Sequence, residues 1–161
     1  MNLQKLFQMQ DALDKRIQAE HNLAGIPLLR KKILSLQVEL GELANETRCF
    51  KFWSTKKASS DAVILEEYVD CLHFILSIGI EKNFEDIALN TKYITSELSE
   101  QFLILYVNIA DFIACSSIDN YYNIFHNFLC LGKNLGFSHE AIENAYLHKN
   151  NINHERQDNG Y

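Results

Sequence analysis

In LQVELGELANETRCFKFW, residues 36–53, Glu39 and Glu42 stand three apart inside a leucine-rich run. Residues three apart on an α-helix share a face, about 60° apart around the axis. Leu36, Leu40 and Leu43 occupy the same stripe, so both carboxylates are expected to point inward or nearly so. A carboxylate in an apolar stripe must be paired or bound to a cation. The device recurs in VILEEYVDCLHFIL, where Glu67 and Asp70 share a face with Ile64, Cys71 and Phe74 while Glu66 faces solvent. Two inward acidic pairs on successive helices repel one another strongly unless a multivalent cation neutralises them. An oxygen-only ligand set favours a hard ion, Mg²⁺ or Mn²⁺. Magnesium usually shares its shell with substrate phosphates, which points to phosphate-ester or phosphoanhydride chemistry. Two other readings compete. Acids at this spacing are often simply solvated, and a di-iron bundle would need two Glu-x-x-His motifs, of which DCLH, residues 70–73, resembles half of one.

Phosphate chemistry needs cations and a place for the rest of the substrate. FKFW supplies Lys51 and the only tryptophan, Trp53, a flat surface on which a base can stack, with Lys56 and Lys57 close behind. Trp53 taken alone is more often a core anchor. The closing AYLHKNNINHERQDNGY concentrates Lys149, Asn150, Asn153, Arg156 and Gln157. Lys149, Asn153 and Arg156 (or Gln157) fall on one helical face. Amides beside cations suit a base edge next to a polyphosphate, and a solvated terminal stretch is the alternative.

The elements that must position these groups are helices, because apolar residues recur at three and four rather than at two. Leu3–His21 forms a first helix with Leu6, Met9, Leu13 and Ile17 on one face, ended by NLAGIP and the only proline, Pro27. A second runs from about Leu28 to Thr47, and a basic, aromatic loop follows. Asp61 can cap a third through Glu81, with a shorter helix near Phe84–Thr91. SELSEQFLILYVNIADFIACSS and DNYYNIFHNFLCLGKNLG are two more, the latter ended by Gly136, and Ser138 caps the last. The expectation is an all-α bundle of about six to seven helices in a single domain, residues 1–161. A net charge of −6 with interspersed signs gives no footprint for a polynucleotide or an acidic membrane. The four cysteines form no CxxC pair, and no signal peptide or run of about 18 apolar residues appears, so a soluble, cytoplasmic protein is expected.

LFQMQDALDKRI, ELGELANETRCFKFW, LEEYVDCLHFIL and YLHKNNINHERQDNGY together resemble the dimeric all-α dUTPase family, related to the MazG-like nucleotide pyrophosphatases, of Gram-positive bacteria and their phages. The resemblance spans nearly the whole chain. ExxE followed by ExxD is the broad signature; the KFW and the closing KNxxNxxRQxxGY are more particular to the dUTPase branch. The resemblance implies a Mg²⁺-dependent (Mn²⁺ possible) homodimer that hydrolyses dUTP to dUMP and pyrophosphate and so keeps uracil out of DNA. It assigns metal ligation to Glu39, Glu42, Glu67 and Asp70, with Glu39 and Glu42 as catalytic residues and Glu39 as the base. It places Gln10, Trp53 and Asn153 at the uracil end, and Lys149 and Arg156 on the phosphates. Lys56, Asn150 and Tyr161 fall in the same region. His73 either contacts the nucleoside or is a satisfied core histidine, and the core reading is favoured.

Asp14 stands where several members of that family carry asparagine, so the uracil-side hydrogen bonds do not carry over unchanged. Similar chains also continue into a short, partly basic tail beyond NGY, so weaker phosphate binding is expected here. Residues 97–128 match no motif, and FLILYVNIADFIA reads as core or dimer interface. The alternatives to a dUTPase are the same chemistry on another deoxynucleotide, and a non-catalytic helical protein that binds a nucleotide or a partner.

Overall fold

A computed structural model describes residues 1–89 and 96–160. Six helices account for the regular structure of those residues: α1 (Leu3–Glu20), α2 (Leu29–Thr47), α3 (Asp61–Lys82), α4 (Leu98–Ala114), α5 (Ile118–Asn134) and α6 (His139–Asp158). No strand occurs among them, and the all-α bundle expected from the periodicity is what forms.

Local chemistry sets the ends. Asn2, Ser117 and Ser138 each accept a backbone N–H from the first turn of α1, α5 and α6. Arg48 and Asn83 close α2 and α3 in the left-handed conformation. Asp61, expected as a cap, is instead the first residue of α3 behind Ser60, where its charge favours the helix N-terminus. The short helix expected near residues 84–91 is absent from its described part: Glu85 and Asp86 form a turn, the rest of 84–89 is irregular, and residues 90 and 91 lie outside the described residues.

α3 is the hub. It is buried nearly all round and packs against α1, α2, α5 and α6. Its join to α5 is reciprocal. Tyr68 of α3 donates to the Phe128 carbonyl at 3.1 Å, and Tyr121 of α5 donates to the Ile75 carbonyl at 3.0 Å. Each ring lies over a glycine of the other helix. A methyl group at Gly79 would sit 2.7 Å from Tyr121 Cζ, and one at Gly132 would sit 2.6 Å from Tyr68 Cζ. The two fully buried tyrosines can approach only because neither glycine carries a side chain.

α4 splits the apolar run in two. Phe102, Leu105, Ile109 and Phe112 are buried, while Leu103, Ile104, Val107 and Ile113 remain exposed. No helix among the described residues is long and apolar enough to cross a membrane. Gly132→Ala is expected to destabilise the protein by about 1–3 kcal/mol through overpacking, with Gly79→Ala similar. Chemical denaturation measures this, and an unchanged midpoint would contradict the reciprocal clasp.

Candidate active site

The α2–α3 pair brings the acids together. Glu39, Glu67 and Asp70 each offer a carboxylate oxygen within 4.8 Å of the others, and all three are half-buried. Neighbouring negative charge and partial burial make ionisation costly. Burial, and then Asp70, Glu42 and Glu67, push the Glu39 carboxyl up to about 7. Burial, and then Asp70, Glu42 and Glu66, raise Glu67 against the pull of Lys149. Burial also raises Asp70, against the pull of Lys149. Glu42, expected to face inward, is exposed and lies outside the trio, though its charge reaches Glu39 and Glu67.

One cation from α6 partly offsets this charge. The buried Lys149 ammonium donates to Asp70 Oδ2 at 2.7 Å and to Glu66 Oε1 at 2.9 Å. Glu66 is otherwise solvent-facing, as its place on the helix implies. An oxygen-only trio that is costly to ionise, of which among the described residues only Asp70 is ion-paired, to Lys149, fits a hard divalent cation.

Glu39 and Asp70 also form part of the wall of a cavity of about 340 Å³. Leu13, Ile17, Leu28 and Phe74 give it an apolar side, while Gln10, Asp14, Lys32, His73, Ser77, Asn153 and Arg156 give it a polar one. The polar side is wired across four helices. Gln10 Oε1 accepts from Tyr146 at 2.8 Å and meets His73 Nδ1 at 2.7 Å, while Gln10 Nε2 donates to Asp14 Oδ1 at 2.7 Å. Asp14 Oδ2 accepts from Ser77 Oγ and, at 3.2 Å, from Lys32. His73 is buried and stacks on Tyr146 at 4.2 Å, and burial lowers its pKa to about 3, so the ring is neutral.

Gln10, Glu39, Asp70, His73, Asn153 and Arg156, all singled out by sequence, therefore meet at this cavity, with Lys149 and Glu67 beside it. Asn150 is buried without lining it. Trp53 and Lys56 lie apart on an exposed loop, where Trp53 packs edge-on against Phe50 and Phe52 with 66% of its surface open. It is therefore no core anchor within this chain. Tyr161 lies outside the described residues. Sequence reading passed over Lys32, Ser77 and Tyr146. A signal was present: Lys32 is seven before Glu39 and Ser77 seven after Asp70, two turns along the same helical faces.

The raised acids have a stability consequence. Between pH about 4.5 and 7 the folded protein holds a proton on Glu39 that the unfolded chain has lost, so without a divalent cation stability falls as pH rises through that window. In EDTA, Glu39→Gln should flatten that fall and, with allowance for solvent screening, leave the variant about 1 kcal/mol more stable than wild type at pH 8. Denaturant melts at pH 5 and pH 8 check this, and a variant less stable at pH 8 would contradict it. Compared with known proteins, the chain matches a family model described as dUTPase over residues 2–161. No curated protein matches it.

Proposed function

Because the chain belongs to the dUTPase family and is a dUTP diphosphatase, we propose that hydrolysis takes place at Glu39, Glu67 and Asp70 with the nucleoside in the adjoining cavity. The observation that carries this is that Glu39 and Asp70 belong both to the carboxylate trio and to the cavity wall. A substrate seated in the cavity would present its phosphates to the acids. A hard divalent ion held by Glu39, Glu67 and Asp70, Mg²⁺ on this reading with Mn²⁺ its nearest substitute, supplies positive charge against the triphosphate and acidifies nearby water.

Glu39 is the base. It stands where the trio meets the cavity, so a carboxylate oxygen can face a water beside the substrate's phosphates. The water oxygen bonds to the α-phosphorus, its proton passes to a Glu39 oxygen, and the bond to the bridging oxygen breaks to release pyrophosphate and dUMP. Glu42, exposed beside the trio, would add its charge to the ion's surroundings from the solvent side. Lys149 holds Asp70 in place and stands ready to donate to a phosphate oxygen, and Arg156 at the cavity edge does the same. Asn153 and Gln10 belong to the base end.

The exposed apolar face of α4 supports a homodimer. Leu103, Val107 and Ile113 continue across a groove to Leu34 on α2, and Leu34 and Leu103 are each 62% exposed. The continuous core through all six helices supports reading residues 1–161 as one catalytic domain, and the four free cysteines accord with a reducing cytoplasm.

Pyrophosphate release from dUTP is expected to require Mg²⁺ and stop in EDTA, and Glu39→Gln should lower kcat at least about a hundredfold with folding intact by circular dichroism. Activity that survives either change would contradict the assignment. Light scattering should report a dimer for wild type and a monomer for Val107→Glu; a wild-type monomer would remove the dimer reading.

A further inference from the structure

We propose that Glu66 is a positioning residue for the Lys149 ammonium: it shares that ammonium with Asp70, so Lys149 serves as a counter-cation of the trio and shifts onto Glu66 when a divalent ion takes Asp70. The inference rests on the reading that Glu39, Glu67 and Asp70 hold the ion.

Glu66 and Asp70 stand four apart on α3, where two carboxylates on one face repel. The ammonium relieves this by reaching both, Asp70 Oδ2 at 2.7 Å and Glu66 Oε1 at 2.9 Å. The two acids differ in their surroundings. The side chain of Asp70 is 19% exposed and belongs to the trio, whereas that of Glu66 is 58% exposed and lies outside it. Lys149 itself is buried. An exposed ion pair on its own contributes little to stability. This one fixes a buried charge that a member of the trio also holds.

A dication ligated by Asp70 and an ammonium bonded to the same carboxylate repel at short range. The ion therefore binds in competition with Lys149, and the displaced ammonium needs another anion. Glu66 supplies one a single helical turn away, solvated enough to stay ionised while the trio is filled. Lysine suits the exchange because its ammonium is a point charge on a flexible stem with three donors. Two of them are engaged by Asp70 and Glu66 among the described residues, which leaves a third for a phosphate oxygen. Without the Glu66 carboxylate the ammonium would rest on Asp70 alone and oppose the ion more strongly.

The test is Mn²⁺ affinity without nucleotide, read from the paramagnetic resonance of free Mn²⁺ at physiological salt, for wild type, Glu66→Gln, Lys149→Met and the double variant. Lys149→Met should bind at least about fivefold more tightly. Glu66→Gln should bind about threefold more weakly, and that loss should vanish in the Lys149→Met background. A Lys149→Met variant that binds no better than wild type, a Glu66→Gln variant that binds as well as wild type, or a Glu66→Gln loss that persists without Lys149 would overturn the exchange while leaving the ion site intact. Mn²⁺ binding that Glu39→Gln leaves unchanged would overturn the site and the exchange together. In wild type the ¹⁵N resonance of the Lys149 ammonium should move when Mg²⁺ is added without nucleotide. A resonance that saturating Mg²⁺ leaves in place would overturn the exchange even if the variants do not fold.

Discussion

Three half-buried carboxylates facing one another repel, and the bundle exists in a form that tolerates this repulsion. The acids sit on α2 and α3, whose leucine and isoleucine stripes pack closely enough to hold the charges within 4.8 Å. α3 is anchored in turn by its tyrosine–glycine clasp with α5, which fixes it against the pair that carries the charge. Lys149 reaches in from α6 and neutralises part of the group. Apolar burial elsewhere offsets the electrostatic cost, and the cost is what makes the site receptive to a cation.

The same helices extend outward from the trio into the polar wall of the cavity. α3 contributes Asp70, then His73, then Ser77, stepping along one face from the acids to the far end. α1 and α6 close the other sides with Gln10, Asp14 and Asn153, and the ends of these two helices are tied by Arg16, which donates to Asp158 at 2.5 Å and to the His154 carbonyl at 3.1 Å. Charge chemistry and base recognition are thus adjacent segments of one helix surface, so the orientation of α3 governs both.

Much of this was legible in the sequence, for a physical reason: helical periodicity places residues three, four and seven apart on one face whatever the tertiary context. The acidic pairs at Glu39 and at Glu67 with Asp70, the cap at Ser138 and the apolar character of α4 all follow from spacing and residue type. What was not legible depended on partners remote in sequence. Glu42 lies about 60° around the helix from Glu39, and that step crosses from the packed side to solvent only because of where α3 lies. Trp53 carries the same signal in a core as on an exposed loop. The Gln10–Asp14–Ser77–Lys32 network draws on three helices, and only its Gln10–Asp14 pair lies at i,i+4 within one helix; Ser77 and Lys32 join it from elements remote in sequence.

The most direct measurement is a crystal structure with Mn²⁺ and a non-hydrolysable dUTP analogue, located by anomalous scattering. The account predicts an anomalous peak ligated by Glu39, Glu67 and Asp70, with the uracil ring in the cavity beside His73 and Gln10. A metal held elsewhere, or a base outside that cavity, would contradict it.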